Sequence, residues 1–303
     1  MTVLDRAPGV AVAREERRPS RRRSVRGAWW RHLVALLALA FALFPIAYVV
    51  SAAFNADQSL GGASLFPRVF TINNFRTLFT DPSTSYLRWY ANSLIVASAT
   101  AVMTVLLASL AAYAFSRFRF RGRRIGMVTL LLIQMFPQFL ALVAIYLILL
   151  RTGDVFPALG LNTLTGLILV YLGGALGLNA WLLKGFFDTI PVELDESARV
   201  DGATPVQVFW GVVLPLAAPI IAVVGLISFV MTVNEFILAS ALLQTTDKFT
   251  LPLGMNSFID QKYAENWGPF ASGVLLAAIP AVVLFMFLQP FLVKGLTQGS
   301  VKG

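Results

Sequence analysis

Residues 91–115 read ANSLIVASATAVMTVLLASLAAYAF, and residues 116–124 read SRFRFRGRR. Twenty-five positions without an acidic or basic side chain are followed by nine that hold five arginines. A bilayer-spanning helix needs about 20 apolar residues. Backbone groups in lipid must be satisfied within each segment, so a continuously apolar run is a helix and not a barrel strand. Five more runs have the same character: Leu33–Ala53, Ile125–Leu150, Leu164–Leu183, Leu216–Leu243 and Ala271–Val293. The expected fold class is an all-α integral membrane protein with six transmembrane helices. Composition agrees, since 57% of the 303 residues are hydrophobic and only 13% are charged, about half the charge of an ordinary soluble domain.

Orientation follows from where the basic residues fall. With both termini inside, 18 of the 24 Lys and Arg residues lie in inside segments and six outside. The termini and the loop between the fourth and fifth spans are therefore expected to be cytoplasmic. The net charge of +9 does not imply nucleic acid: the excess sits beside membrane spans and comes with no recognition motif. Basic residues there retain loops and meet anionic membrane lipid. The chain has no cysteine, which excludes disulfides and thiolate chemistry.

The first apolar run exceeds the 7–15 residues of a signal-peptide core, so it reads as an uncleaved span. Residues 1–31, rich in Arg, Pro, Glu and Ser, read as a disordered basic cytoplasmic tail. Residues 32–303 form the transmembrane domain, with a cytoplasmic loop at 184–216 and a C-terminal cytoplasmic tail at 294–303. The longest outer connection, Phe54–Tyr90, ends in Trp89 and Tyr90, which suit a membrane–water interface. The short basic link after Phe115 implies that the second and third spans are adjacent and antiparallel.

The loop at 184–216 carries the densest local signals. Pro191 suits the first turn of a short helix over Pro191–Arg199, and Glu193, Asp195 and Glu196 place negative charge at its positive end. Gly202 supplies a position able to adopt positive φ. Thr204, Pro205 and Gln207 then open a second helix as N-cap, first residue and third residue, a capping box. Val206, Phe209, Trp210, Val213 and Leu214 give it an apolar side, and Pro215 marks where the fifth span begins. A helix–glycine–helix element on the cytoplasmic face is suited to passing force from a soluble motor to the spans. It would also serve as an interfacial elbow with no partner.

Glu196-Ser197-Ala198, then Gly202, then Val212-Val213-Leu214-Pro215 resembles the signature of ABC importer permeases: Glu-Ala-Ala, three residues, Gly, nine residues, Ile-x-Leu-Pro. Ser197 and Val212 depart from that pattern mildly. Nearly the whole chain after the tail is similar to permeases of carbohydrate importers of the maltose type. Gln134-Met135-Phe136-Pro137, Gly160-Leu161-Asn162-Thr163, Tyr171-Leu172-Gly173-Gly174 and Asp201-Gly202-Ala203-Thr204-Pro205 carry that likeness, as does the ending from Gly295 to Gly303. The resemblance implies the type I ABC importer permease fold and a contact to an ATPase through Glu196 and Gly202. Ser197, Ala198, Asp201, Ala203, Thr204 and Pro215 complete that element. It further implies a C-terminal tail, Gln298, Gly299, Ser300, Val301 and Lys302, reaching the ATPase dimer. The implied partners are a second permease, a dimeric cytoplasmic ATPase that binds ATP and Mg, and an extracytoplasmic sugar-binding protein.

Glu235 is the only acidic residue inside an expected span, and ionisable groups at that depth usually face a bundle interior or a water-filled path. Thr232, Asn234 and Glu235, with Gln134 of the third span, are candidates for the translocation path. An interhelical hydrogen bond is the equal alternative for Glu235. Gln138 and Asn179 are open in the same way, Gly173, Gly174 and Gly177 suit close helix packing, and Pro137 and Pro280 suit kinks. His32, the only histidine, reads as interfacial.

No Gly-x-x-x-x-Gly-Lys-Ser/Thr loop is present, so this chain itself is not expected to bind a cofactor or hydrolyse ATP. No zinc-ligand cluster or hydrolase motif is found. The expected function is the transmembrane subunit of an ATP-driven importer for maltose, maltodextrin or trehalose in the bacterial inner membrane. An ion-coupled sugar carrier using Glu235 is the competing reading.

Overall fold

The computed structural model describes residues 29–56, 65–82, 84–259 and 266–298. It divides into two units, residues up to Ile46 and residues from Ala47 onward. In the first, the described residues form the start of helix α1 (Trp29–Ala53), with every side chain from Trp29 to Ile46 exposed. The expected tail boundary at 31 moves accordingly: residues 29–31 are helical, and the rest of the tail lies outside the described residues.

The second unit is helical, with no strand among the described residues and one isolated bridge between Asn55 and Phe70. After α2 (Asn73–Thr80) comes α3 (Tyr86–Arg117), which packs along α6 (Leu164–Phe187) and α10 (Ala218–Val233). Small residues make this close approach feasible: Ser93, Ala97, Thr100, Ala101, Thr104, Ala108 and Ala112 are buried on α3. The third run is not one helix. It breaks after α4 (Arg123–Met135) and resumes as α5 (Leu142–Val155), because Pro137 has no N–H to continue the ladder. The neighbour of α4 is α6 rather than α3, so the expected side-by-side pairing of the second and third spans is not the main packing.

Between α6 and α10 lie α7 (Val192–Val200), α8 (Pro205–Val208), a π-helical turn at Phe209–Val213 and α9 (Leu214–Leu216). The fifth run is interrupted again at residues 234–236 before α11 (Ile237–Leu242). Helices α12 (Leu251–Asn256) and α13 (Trp267–Gln298) are the last among the described residues, and α13 runs along α10. Residues 294–298, expected as tail, continue α13, and its Pro280 and Pro290 lie inside one continuous helix. Among the described residues, four helices are long and apolar enough to cross a membrane, or six spans result if each of two bent pairs counts as one.

The expected interfacial placement of Trp89 is corrected. Trp89 is buried, donates through Nε1 to the Thr246 carbonyl at 2.8 Å, and lies against the Cα of Gly254. The segment that carries Thr246, Leu251 and Gly254 folds back on α3 and covers Trp89, so the ring meets protein.

Candidate functional site

The sequence expectations converge on the segment between α6 and α10. Helix α7 begins one residue later than expected and ends one later, with Pro191 at its N-cap. Its chain reverses at Gly202, whose φ of +89° lies in the left-handed region that glycine adopts without steric cost. Thr204 then caps α8 as a full capping box: its Oγ1 accepts from the Gln207 N–H, and Gln207 Oε1 accepts from the Thr204 N–H at 2.8 Å. The π-helical turn follows and keeps Phe209 and Val213 both buried while Trp210 is half exposed. Pro215 is not the boundary of the next span. The chain bends by 80° between the Pro205–Leu216 segment and α10, at Ala217.

This element is fixed to the bundle by polar contacts. Arg117, the last residue of α3, donates from Nε to Asp195 Oδ2 at 2.8 Å, and the two side chains are 4% and 2% exposed. Its Nη2 donates to the Ile190 carbonyl at 3.0 Å. Tyr113 donates to the Pro205 carbonyl at 3.3 Å, so one turn of α3 grips both α7 and α8. Beside it, Asp188 accepts from Ser116 Oγ at 2.7 Å and pairs with Lys184. Burial alone pushes the Asp188 carboxyl up. The hydrogen bonds from Lys184 and Ser116 and the charges of Lys184 and Arg123 outweigh it, holding the group below the usual carboxylate range. An apolar cluster of Phe187, Ile190, Val208, Phe209 and Val213 lies beneath.

Glu196, Ser197, Asp201, Gly202 and Thr204 are exposed, while Ala198 and Ala203 are partly covered by the bundle. The reading of the sequence grouped Asp195 with Glu193 and Glu196 as dipole charges, and the structure separates it as the buried member. The signal was present in the spacing: Asp195 and Ala198 fall three residues apart, on one face of a helix. Arg117 counted only toward orientation, yet it lies within α3 and its guanidinium pairs with Asp195. Of the C-terminal candidates, Gln298 ends α13, and Gly299, Ser300, Val301 and Lys302 lie outside the described residues.

The proposed path residues are not brought together. Gln134 lines a groove of about 430 Å³ with Gly173 and Gly174. It also packs so closely on Gly177 that a Cβ there would lie 2.8 Å from Gln134 Cγ. Gly177 thus serves close packing as expected, whereas a Cβ on Gly173 would meet nothing within 4 Å. Asn234 lines a different groove of about 490 Å³ with Phe236, Asn256 and Phe270, and donates to the Val230 carbonyl at 2.8 Å. Thr232 turns inward to the Ser228 carbonyl at 2.8 Å, and Asn179 donates to the Ala175 carbonyl at 2.9 Å.

Glu235 is not inside a helix but in the break between α10 and α11. Oε1 accepts from the Leu238 N–H at 2.8 Å, and Oε2 accepts from the Ala239 N–H at 3.1 Å and from the Tyr171 hydroxyl. The carboxylate therefore caps α11 and ties it to α6. On the far side of α11, Asn162 stands at φ 58° and accepts on Oδ1 from the Gln244 and Thr245 N–H groups at 2.9 and 3.1 Å.

Residues 104–298 match the family described as binding-protein-dependent transport system inner membrane component. The chain is 38% identical over 278 residues to the galactooligosaccharides transport system permease protein GanQ of Bacillus subtilis (strain 168). That match covers 90% of this chain and 96% of the relative. This chain is a member of that family. The maltose/maltodextrin transport system permease protein MalG of Escherichia coli (strain K12) is 38% identical over 283 residues, covering 90% and 95%. A solved bacterial ABC transporter for import of the acidic polysaccharide alginate shares the fold, with TM-score 0.70 at 20% identity over 88% of this chain and 98% of that one. The chain is thus an inner-membrane permease, and the segment around Gly202 lies within the matched region.

Proposed function

We propose that this chain is one transmembrane subunit of an ATP-driven sugar importer, with six spans and both termini cytoplasmic. It takes up α-linked oligosaccharides of the maltose or maltodextrin class or a related short saccharide. It pairs with a second permease, a dimeric cytoplasmic ATPase that carries the ATP and Mg, and an extracytoplasmic sugar-binding protein. Support comes from relatives named as maltodextrin, maltose/maltodextrin and galactooligosaccharides permeases and from an alginate transporter solved with a saccharide-bound periplasmic protein.

One observation carries the coupling role: two short helices joined at a left-handed glycine are held to α3 by the buried Arg117–Asp195 pair. The exposed face of this element, with Glu196, Ser197, Asp201, Gly202 and Thr204, docks on the ATPase. When ATP closes the ATPase dimer, the element moves with it, and α3 and α10 follow because they are joined to it. Each ligand shifts the inward-open and outward-open states only by its difference in affinity for the two.

Gln134 and Asn234 remain the side chains available to a passing saccharide, since each lines a groove. The ion-coupled carrier reading has no support: the Glu235 carboxylate is already taken up by three donors. The test is to purify the chain from native membranes in mild detergent and weigh what accompanies it. A second permease and an ATPase in fixed ratio are expected, with the ATPase lost on Gly202→Asp. A stable chain that transports sugar without an ATPase would refute the proposal.

A further inference from the structure

A cavity of about 620 Å³ opens between the start of α4 and the end of α6. Its charged lining is entirely basic, formed by Arg123, Arg124 and Lys184, and the remainder is apolar or aromatic, including Val128, Leu131 and Trp181. Two independent features of this cavity call for an anion with an apolar body.

Electrostatics come first. The N-terminus of a helix is its positive end, and its first amides lack intrahelical acceptors. Helix α4 begins with Arg123 and Arg124, has no acidic residue in its first turn and has no side-chain cap from Gly122. Two cations at a positive helix end repel both the dipole and each other. Local compensation is incomplete: Lys184 is paired with Asp188, which also feels the charge of Arg123, and Arg123 reaches the Ser116 carbonyl at 3.4 Å. The Arg124 side chain forms no hydrogen bond or ion pair with any described residue. Among the described residues, Asp188 offsets Lys184 and Arg123, and no carboxylate pairs with Arg124.

Shape is the second feature. From the arginines the wall continues along α4 through Val128, 49% exposed, toward Leu131, with Trp181 of α6, 47% exposed, across the groove. A free phosphate would have no use for that wall. A diacyl lipid has a phosphate at one end and chains to lay along the other, and Trp beside Arg and Lys is the usual composition of a membrane interface.

We infer that this cavity is a binding site for an anionic phospholipid, with the headgroup phosphate held by the Arg123 and Arg124 side chains and the first-turn amides of Arg124 and Ile125, and an acyl chain along Val128, Leu131 and Trp181. Basic pockets between membrane helices bind such headgroups in general. The inference needs only that the chain lies in a bilayer, and is independent of which sugar or ATPase it serves.

Trp181 provides the readout. The chain, purified with its co-purifying subunits, is placed in phosphatidylcholine vesicles containing a small fraction of dibrominated phosphatidylglycerol or dibrominated phosphatidylcholine. The difference between wild type and Trp181→Phe isolates quenching at this tryptophan. Brominated phosphatidylglycerol is expected to quench it at a far lower fraction than brominated phosphatidylcholine. Arg123→Gln/Arg124→Gln should reduce that preference about fivefold per arginine, roughly 25-fold in all. Arg119→Gln/Arg121→Gln removes the same charge from the same link outside the cavity and should leave most of it.

Equal quenching by the two lipids overturns the inference. So does an equal loss in both double variants, which would mean diffuse attraction, or displacement by inorganic phosphate, which would mean a soluble anion. If the double variant fails to insert, seen as loss of quenching by brominated phosphatidylcholine, Arg124→Gln alone serves, because its side chain holds nothing else in place. An unchanged preference in that variant is equally fatal.

Discussion

Arg117 and Asp195 meet where almost no water reaches, at 4% and 2% exposure, and Asp195 Oδ1 has no hydrogen-bond partner among the described residues. A buried pair is a weak source of net stability, but removing one member leaves the other charged and unsolvated, at about 3–5 kcal/mol. Asp195→Ala should therefore lower the midpoint of thermal unfolding sharply, and Arg117→Met/Asp195→Leu should recover most of the loss. If the pair also transmits motion, the recovered double variant will bind the ATPase yet hydrolyse more ATP per sugar imported than wild type. Asp188 predicts a pH effect with a definite sign. Its carboxyl is held below its ordinary value, so its contribution is fully present above about pH 4, the unfolded range, and disappears as pH falls through the lower folded value. Acid unfolding of the purified protein should begin at higher pH in Lys184→Met than in wild type.

Among the elements, the helix–glycine–helix segment was the most legible part of the sequence, because each of its signals is local. Thr204, Pro205 and Gln207 form a cap within one turn of chain, and Gly202 stands where only a left-handed residue closes the reversal. Gly202→Ala should cost about 1 kcal/mol or more through that φ alone, read as a lower melting midpoint, even though a Cβ there meets no neighbour. The breaks in the third and fifth runs were less legible. Hydropathy is the same on both sides of Pro137 and Glu235, and what ends α10 is a competing cap: the Glu235 carboxylate satisfies the first amides of α11 and draws a hydroxyl from α6. Trp89 was misplaced for a related reason. Interfacial composition and burial against a returning loop look alike in sequence, and only the Cα of Gly254 against the ring separates them. Gly254→Ala would set a Cβ 2.1 Å from Trp89 Cδ2, so it should destabilise the fold by about 1–3 kcal/mol, measured by denaturation in detergent.

For the whole molecule, the proposed orientation of the spans makes a direct prediction. The absence of cysteine makes every introduced thiol unique. Val200→Cys and Lys248→Cys, both outside the apolar helices, should react with an impermeant maleimide from opposite sides of a sealed vesicle: Val200→Cys from the cytoplasmic side and Lys248→Cys from the outer side. Labelling of both from one side would remove the six-span, termini-in arrangement, whatever sugar the protein carries.

The contacts that hold the segment from Val192 to Leu216 lie within this chain: it is capped at Thr204 and fixed by Arg117. A loop that ordered only on contact would forfeit about 2–5 kcal/mol of the gross interaction to lost chain entropy, roughly 30- to several-thousand-fold in dissociation constant. Under the proposed docking, a subunit arriving from the cytoplasm meets a finished surface and retains that affinity. Assembly of the transporter then depends on encounter rather than on a folding step, and loosening Asp195 would weaken assembly without altering a single atom that the incoming subunit touches.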